Sequence, residues 1–352
     1  MIKHFYTGSY SVKDEKGIRL FALDTETGAL TEKSGFCGVE NPSYIILDKA
    51  KKHLYALSEL SDNTGALYAF DIAASGDLTP VNCVPTSGGQ VCYLTLSPDE
   101  KYLACAGYQT GTVDMYALNP DGSIGNKVFA DKHTGKGKVE GRQDEPHAHH
   151  VFFPRGQSHN FYICDLGTDK VYHYELEEDG GVILYPLIDI PAGDGPRHII
   201  QSPTDENIIY LVCEISFTLH TLRLCGEGAK IISTVSTLPN GLYAFGGAGA
   251  IRLSDDGKYL YVSNRVIEPD AGHNSVVRFE IDQNTLLPTN PVFTKTGVKM
   301  PRDINIFGDI AVIGSQTEHK LLTRRIKKDG VIAEENLCEL DVKAPSCITN
   351  LI

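Results

Sequence analysis

Gly195-Pro196-Arg197-His198, then Ile209-Tyr210-Leu211-Val212 and Cys213-Glu214-Ile215, then Gly247-Ala248-Gly249-Ala250: this stretch contains the unit from which the chain is built. A Pro or Gly lead-in precedes a short apolar strand, an Asp/Gly/Lys turn and a second apolar strand rich in aromatics. The same order returns at Asn41-Pro42-Ser43-Tyr44, Gln90-Val91-Cys92-Tyr93, Glu145-Pro146-His147, Met300-Pro301-Arg302-Asp303 and Ala344-Pro345-Ser346-Cys347. With Pro42, Val91, Pro146, Pro196, Ala248, Pro301 and Pro345 as markers, successive gaps are 49, 55, 50, 52, 53 and 44 residues. Such a period is that of a propeller blade, and it is too long for leucine-rich or ankyrin units.

Within a unit, Tyr102-Leu103-Ala104-Cys105-Ala106, Phe161-Tyr162-Ile163-Cys164 and Tyr259-Leu260-Tyr261-Val262 are too short for helices and read as strands. Turn pairs Asp121-Gly122, Asp179-Gly180, Asp256-Gly257 and Asp329-Gly330 separate them from their neighbours. Six complete units follow residue 41, while Ala344 to Ile352 has room for one strand only. The segment before residue 41 offers strands but no lead-in. The predicted fold is therefore all-β: one seven-bladed β-propeller domain over residues 1–352, with four-stranded antiparallel blades. The last blade takes its innermost strand from the C-terminus and its outer strands from the N-terminus, which removes the unpaired edges that invite aggregation.

Composition agrees with an ordinary globular core: 41% hydrophobic and 22% charged residues, with 34 Gly and 17 Tyr favouring strands and tight turns. The formal net charge of −13 argues against nucleic acid or an anionic membrane as partner. It leaves room for a small anionic substrate, because a few arginines in one pocket reverse the local field. Nine cysteines without a CxxC pair fit a reducing compartment and structural roles. No stretch reads as a signal peptide or membrane span, so the expected location is cytoplasmic. Oligomeric state is not legible.

Residues that start the innermost strands of different blades converge on the central channel. Here those positions collect His147, His149, His150, Arg197, His198, Arg302 and Asp303, where bland side chains are usual. Strand alternation predicts His147 and His149 on one face and His150 on the other. An isolated histidine is most simply a hydrogen-bonded structural residue; a pair beside arginines favours function. The H-x-H pair suggests zinc, but no third ligand is apparent. No metal and no cofactor are expected. Second strands end in Glu59, Tyr108, Asp165, Glu214, Arg265 and Gln316, ordinarily solvated positions. Glu214 and Arg265 follow strongly apolar strands and must face solvent or the channel mouth. Nucleophile-elbow, phosphate-loop and Rossmann patterns are absent.

Glu140-Gly141-Arg142-Gln143, Pro146-His147-Ala148-His149, Asp165-Leu166-Gly167-Thr168-Asp169-Lys170-Val171, Gly195-Pro196-Arg197-His198, Ser236-Thr237-Leu238-Pro239, Leu260-Tyr261-Val262-Ser263-Asn264-Arg265 and Pro301-Arg302-Asp303 carry a resemblance. In this order, across essentially the whole chain, they resemble the seven-bladed propeller lactonases, which include bacterial 6-phosphogluconolactonases and fungal carboxy-muconate lactonizing enzymes. The resemblance implies a metal-independent lactone hydrolase of the pentose phosphate pathway with a site at the channel mouth. Its catalytic candidates are His149, Glu214, Arg197 and Arg265; its substrate-binding candidates are His147, Arg142, His198, Arg302 and Tyr108. Ala250 departs from the family pattern, which carries an acid before Ile251-Arg252.

Hydrolysis of 6-phosphogluconolactone leads, with Glu214 or His149 as general base and Arg197 or Arg265 on the oxyanion. Arg142 or Arg302 would hold the phosphate or carboxylate. A muconate cycloisomerase would use the same groups, and a non-catalytic binding or scaffolding ring is the third reading. The enzyme readings require Arg197 and Arg265 to point into one basic cup.

Overall fold

A computed structural model describes every residue except 62, 63, 178, 179, 241, 243, 269–272 and 352. Seven sheets radiate from one channel, each a meander whose first strand lies innermost. Blades 1 to 6 begin with the strands Ile45–Leu47, Val91–Leu96, Ala148–Phe152, Pro196–Gln201, Phe245–Leu253 and Pro301–Phe307. Blade 7 closes the ring as the sequence predicts: Pro345–Asn350 pairs antiparallel with Ile2–Ser9, Phe5 opposite Asn350 and Gly8 opposite Cys347. Blade 3 differs slightly, because its outer strand is split into Val182–Leu184 and Ile188–Asp189, both pairing with the third strand. Gly122, Gly180, Gly257 and Gly330 of the turn pairs have φ of 80°, 87°, 68° and 76°, where a Cβ is unfavourable. Asp179 and Ile352 lie outside the described residues.

The buried apolar residues form seven separate clusters, one in each blade–blade interface. Successive residues of a strand therefore go to opposite wedges. Ile208, Tyr210 and Val212 pack toward blade 5, whereas Ile209, Leu211 and Cys213 pack toward blade 3. This two-sided burial explains the continuous apolar runs. It also explains the cysteines: Cys105, Cys164, Cys213 and Cys347 are small wedge residues, and all nine are free thiols. Tyrosines tie neighbours together, with Tyr6, Tyr55 and Tyr261 donating to the carbonyls of Gly76, Gly122 and Gly330 on the adjoining blade.

Candidate active site

Two tiers of side chains line one mouth of the channel, and each arises from a backbone feature repeated around the ring. The lower tier comes from β-bulges. Register slips between Val91 and Tyr93, Ala148 and His150, Pro196 and His198, and Pro301 and Asp303 place two residues opposite one at the start of the innermost strand. The extra residues are Cys92, His149, Arg197 and Arg302. With Ser43, Tyr44, His198, Asp303 and Ser346 they enclose a small cavity of about 20 Å³.

The bulge corrects the alternation expected for the histidines. Ala148 and Val151 face the wedge toward blade 2, while His149 and His150 both turn to the channel, their rings 5.1 and 5.2 Å from that of His198. His147 precedes the strand. Its ring lies flat on Tyr108 at 4.3 Å and its Nδ1–H donates to the Tyr108 carbonyl at 2.8 Å, so it supports Tyr108 from behind.

The upper tier consists of residues at or just past the mouth-side ends of the second strands, with Arg265 inside its strand Tyr259–Glu268. Backbone N–H groups of Tyr10, Glu59, Tyr108 and Glu214 donate to the carbonyls of Ala344, Asn41, Gln90 and Gly195. These acceptor residues are all left-handed, with φ of 35°, 45°, 47° and 65°. That conformation costs about 1–2 kcal/mol at a residue with a Cβ, so the mouth carries backbone strain held by the blades. The tier's side chains Tyr10, Glu59, Tyr108, Glu214 and Arg265, with Gln90, Cys92, His149 and Arg302 beneath, line a cup of about 180 Å³.

Glu214 is the electrostatic centre. Its Oε1 accepts from Arg142 Nη2 at 2.6 Å, and its Oε2 accepts from Arg197 Nε at 2.7 Å and Arg265 Nη2 at 2.6 Å. Arg197 and Arg265 thus converge on one oxygen, as a common site requires. Burial pushes the Glu214 carboxyl up, but Arg265, Arg197 and the other nearby cations win and hold it well below its ordinary value. Arg265 also donates to the Ala248 carbonyl at 2.8 Å, and Arg197 to the Gly249 carbonyl at 3.0 Å. The close approach needs a glycine: a Cβ on Gly247 would lie 2.5 Å from Glu214 Cγ.

Arg302 is different. Its Nη2 donates to the Tyr10 hydroxyl at 2.8 Å, and that hydroxyl donates to Glu59 Oε2 at 2.8 Å, which Ser43 also engages. No carboxylate among the described residues lies within ion-pair distance of Arg302. Tyr10 and Ser43 are not among the sequence candidates: Tyr10 lies in the segment that has no lead-in, and Ser43 reads only as part of one. Ser9-Tyr10 nevertheless occupies in blade 7 the place of Ser58-Glu59 in blade 1.

His149 is buried, and among the described residues its Nδ1 has no hydrogen-bond partner. Burial first, then the positive field of Arg197 and Arg302, pushes its pKa well below that of a free imidazole. A neutral imidazole with an unsatisfied nitrogen beside a polar cavity offers a hydrogen-bonding position to a ligand. His198 lies deeper, 2.9 Å from Arg197 Nη1 through its Nε2. Ala250 is buried in the wedge toward blade 6, while Arg252 donates to Asp303 Oδ1 at 2.7 Å. Asp303 therefore supplies the carboxylate for this arginine from the next blade.

Among the described residues, the H-x-H pair gathers no third metal donor. Three such donors do meet at Asp194, Cys213 and His220. Both nitrogens of His220 are already engaged, Nε2 with Asp194 and Nδ1 with Thr234, and burial pushes the Cys213 thiol up. That cluster fits a hydrogen-bonded brace better than a ligand set.

Comparison with known proteins decides the family. Residues 4–350 match the family model described as lactonase, 7-bladed beta-propeller. The chain belongs to this lactonase family. A 6-phosphogluconolactonase of Bacillus subtilis is 32% identical over 334 residues, covering 92% of each chain. A solved structure from Lactobacillus plantarum superposes with a TM-score of 0.87 at 26% identity, over 99% of both chains. The periplasmic gluconolactonase of Pseudomonas aeruginosa shares the fold, with a TM-score of 0.91 at 24% identity and 99% coverage of each. No helix among the described residues is long and apolar enough to cross a membrane.

Proposed function

We propose that this propeller lactonase hydrolyses an anionic sugar lactone, 6-phosphogluconolactone first, without a metal or cofactor. The carrying observation is the charge arrangement in the cup. Arg142, Arg197 and Arg265 share one carboxylate, whereas Arg302 pairs, among the described residues, with the Tyr10 phenol. Arg302 is then the group that holds the substrate phosphate or carboxylate, and Arg265 faces the lactone carbonyl. His149 removes a proton from water as it attacks that carbonyl. Arg265 stabilises the oxyanion, a contribution of several kcal/mol in acyl transfer (about 3–4 per donor). On collapse, the ring C–O bond breaks and His149 returns its proton to the leaving oxygen, giving the hydroxy acid. Glu214, whose two oxygens are both taken up by the three guanidiniums, serves to orient them.

The test is hydrolysis of freshly generated 6-phosphogluconolactone, coupled to 6-phosphogluconate dehydrogenase and corrected for spontaneous opening. Arg302→Ala should raise KM about 10–100-fold for the phosphorylated lactone, the value of a charge-assisted pair. It should leave the unphosphorylated gluconolactone nearly unaffected. No rate above background at high enzyme concentration would remove this substrate and turn the search to muconates or a binding role.

A further inference from the structure

Arg142 reaches Glu214 from the long connector between blades 2 and 3, and what holds that connector is an adjacent residue the chemistry does not use. Gln143 is fully buried. Its Oε1 accepts from the Val139 backbone at 3.1 Å, and its Nε2 donates to the Leu166 carbonyl and to Asp169 Oδ1, both at 2.8 Å. Gly137 lets the connector fold over this amide, since a Cβ there would lie 2.5 Å from Gln143 Cδ. Asp169 is buried, left-handed at φ 54°, and has no cationic partner among the described residues. Besides Gln143, its carboxylate accepts from Gly195 N at 2.8 Å and Gly193 N at 2.6 Å. The carbonyl of Gly195 in turn accepts from Glu214 N at 2.7 Å, and Pro196-Arg197 follows directly.

These contacts close a circuit: Glu214 carboxylate, Arg142, Gln143, Asp169, Gly195, and back to the Glu214 backbone. We infer that Asp169, acting through Gln143, is a positioning residue that clamps the Arg142 connector to the turn before Arg197 and keeps the Arg142–Glu214 pair closed. A buried carboxylate fed only by N–H donors is a fixed point, because each donor left without it would be buried unsatisfied. The motif stretches Gly141-Arg142-Gln143 and Thr168-Asp169-Lys170 thereby gain a common purpose.

Tryptic cleavage after Arg142, located by mass spectrometry, tests the clamp without reference to any reaction. Gln143→Ala and Asp169→Asn should each speed that cut by about tenfold or more relative to cuts elsewhere in the chain, as expected for a local opening. Gln143→Ala keeps the test open should Asp169→Asn fold poorly. An unchanged ratio, including a uniform rise at all sites from general destabilisation, overturns the proposal. A second arm rests on the lactonase reading. Gln143→Ala should lower kcat/KM about tenfold in the native background but by less than about twofold when Arg142 is already alanine. Equal losses in both backgrounds would mean that Gln143 acts on general stability and overturn the positioning role. Should no lactone be turned over, the proteolysis arm alone decides the clamp, and the reaction reading fails separately.

Discussion

Acidification should destabilise this protein well before its carboxylates titrate, because three histidines packed at the channel are held neutral. Burial, with Arg197 adding to it in each case, lowers His149 and His198 well below the ordinary imidazole value and takes His150 to about 3. Their contacts are dense: His150 Nδ1 accepts from the Ile199 backbone at 3.3 Å, and its ring meets that of Tyr93 edge-on at 4.2 Å. Since the folded pKa values are depressed, the unfolded chain binds more protons below pH 6.5. Stability is then fully present above that pH and drains away as pH falls. Between pH 7 and 5.5 each such histidine forfeits about 1 kcal/mol, so the three together remove about 3–4 kcal/mol. His173, lowered by partial burial, acts in the same sense. Against a typical stability of about 5–15 kcal/mol this is a large fraction. Urea titrations at pH 7.0, 6.25 and 5.5 read the loss directly, over a range where unfolded Asp and Glu remain mostly ionised. His150→Phe should shrink the pH-dependent part by about 1 kcal/mol, whatever it does to stability at pH 7. A total change below about 1 kcal/mol would refute the reasoning, because the cluster would then be protonating in the folded state.

Gly247→Ala places a methyl against Glu214 Cγ, and should cost about 1–3 kcal/mol in a urea melt while depressing lactone hydrolysis at least as strongly as it depresses stability. Full activity would show that Glu214 tolerates displacement. Deleting residues 345–352 removes the innermost strand of blade 7, the partner of Ile2–Ser9, and also the Ile348 N–H that donates to Asp303 Oδ2 at 2.8 Å. Light scattering should then show association through the exposed edge, and a stable monomer would argue against strand closure as the lock of the ring.

The fold was legible because every blade repeats the same local grammar, and because a blade buried on both faces writes unbroken apolar strands such as Ile209-Tyr210-Leu211-Val212. Most of the charged cup was legible for the same reason: Arg197 and Arg302 directly follow their lead-in prolines, His149 lies two residues further into its own lead-in, and Glu214 and Arg265 sit at matching strand ends. What failed was the assumption of strict alternation. Whether His149 and His150 share a face depends on the register with Asn160–Asp165, where Ala148 opposes Asp165 and His150 opposes Cys164. That slip belongs to the pair of strands and leaves no mark in either one alone. The roles of Gln143 and Gly247 were hidden similarly, since each is defined by a residue distant in sequence.

The two tiers also explain how an acidic chain presents a cationic cup. Blades 2, 3, 4 and 6 each offer a bulge position in the lower tier, and strand ends offer positions in the upper tier, so the chemistry is set by which of these carry charge. Blades 3 to 6 supply His149, Arg197 with Glu214, Arg265 and Arg302, and the connector adds Arg142. Blades 7, 1 and 2 answer with Tyr10, Glu59 with Ser43, and Tyr108 with Cys92. Four guanidiniums face two carboxylates, one of them, Glu59, separated from Arg302 by the Tyr10 hydroxyl. The positive excess is therefore confined to one side of the ring, and in a cup of about 180 Å³ walled by low-dielectric blades it is weakly screened. A neutral ligand would gain nothing from that asymmetry. On the proposed lactone hydrolysis, an anion would be both drawn in and oriented, its charge toward Arg302 and the rest of its body across His149 and Arg265.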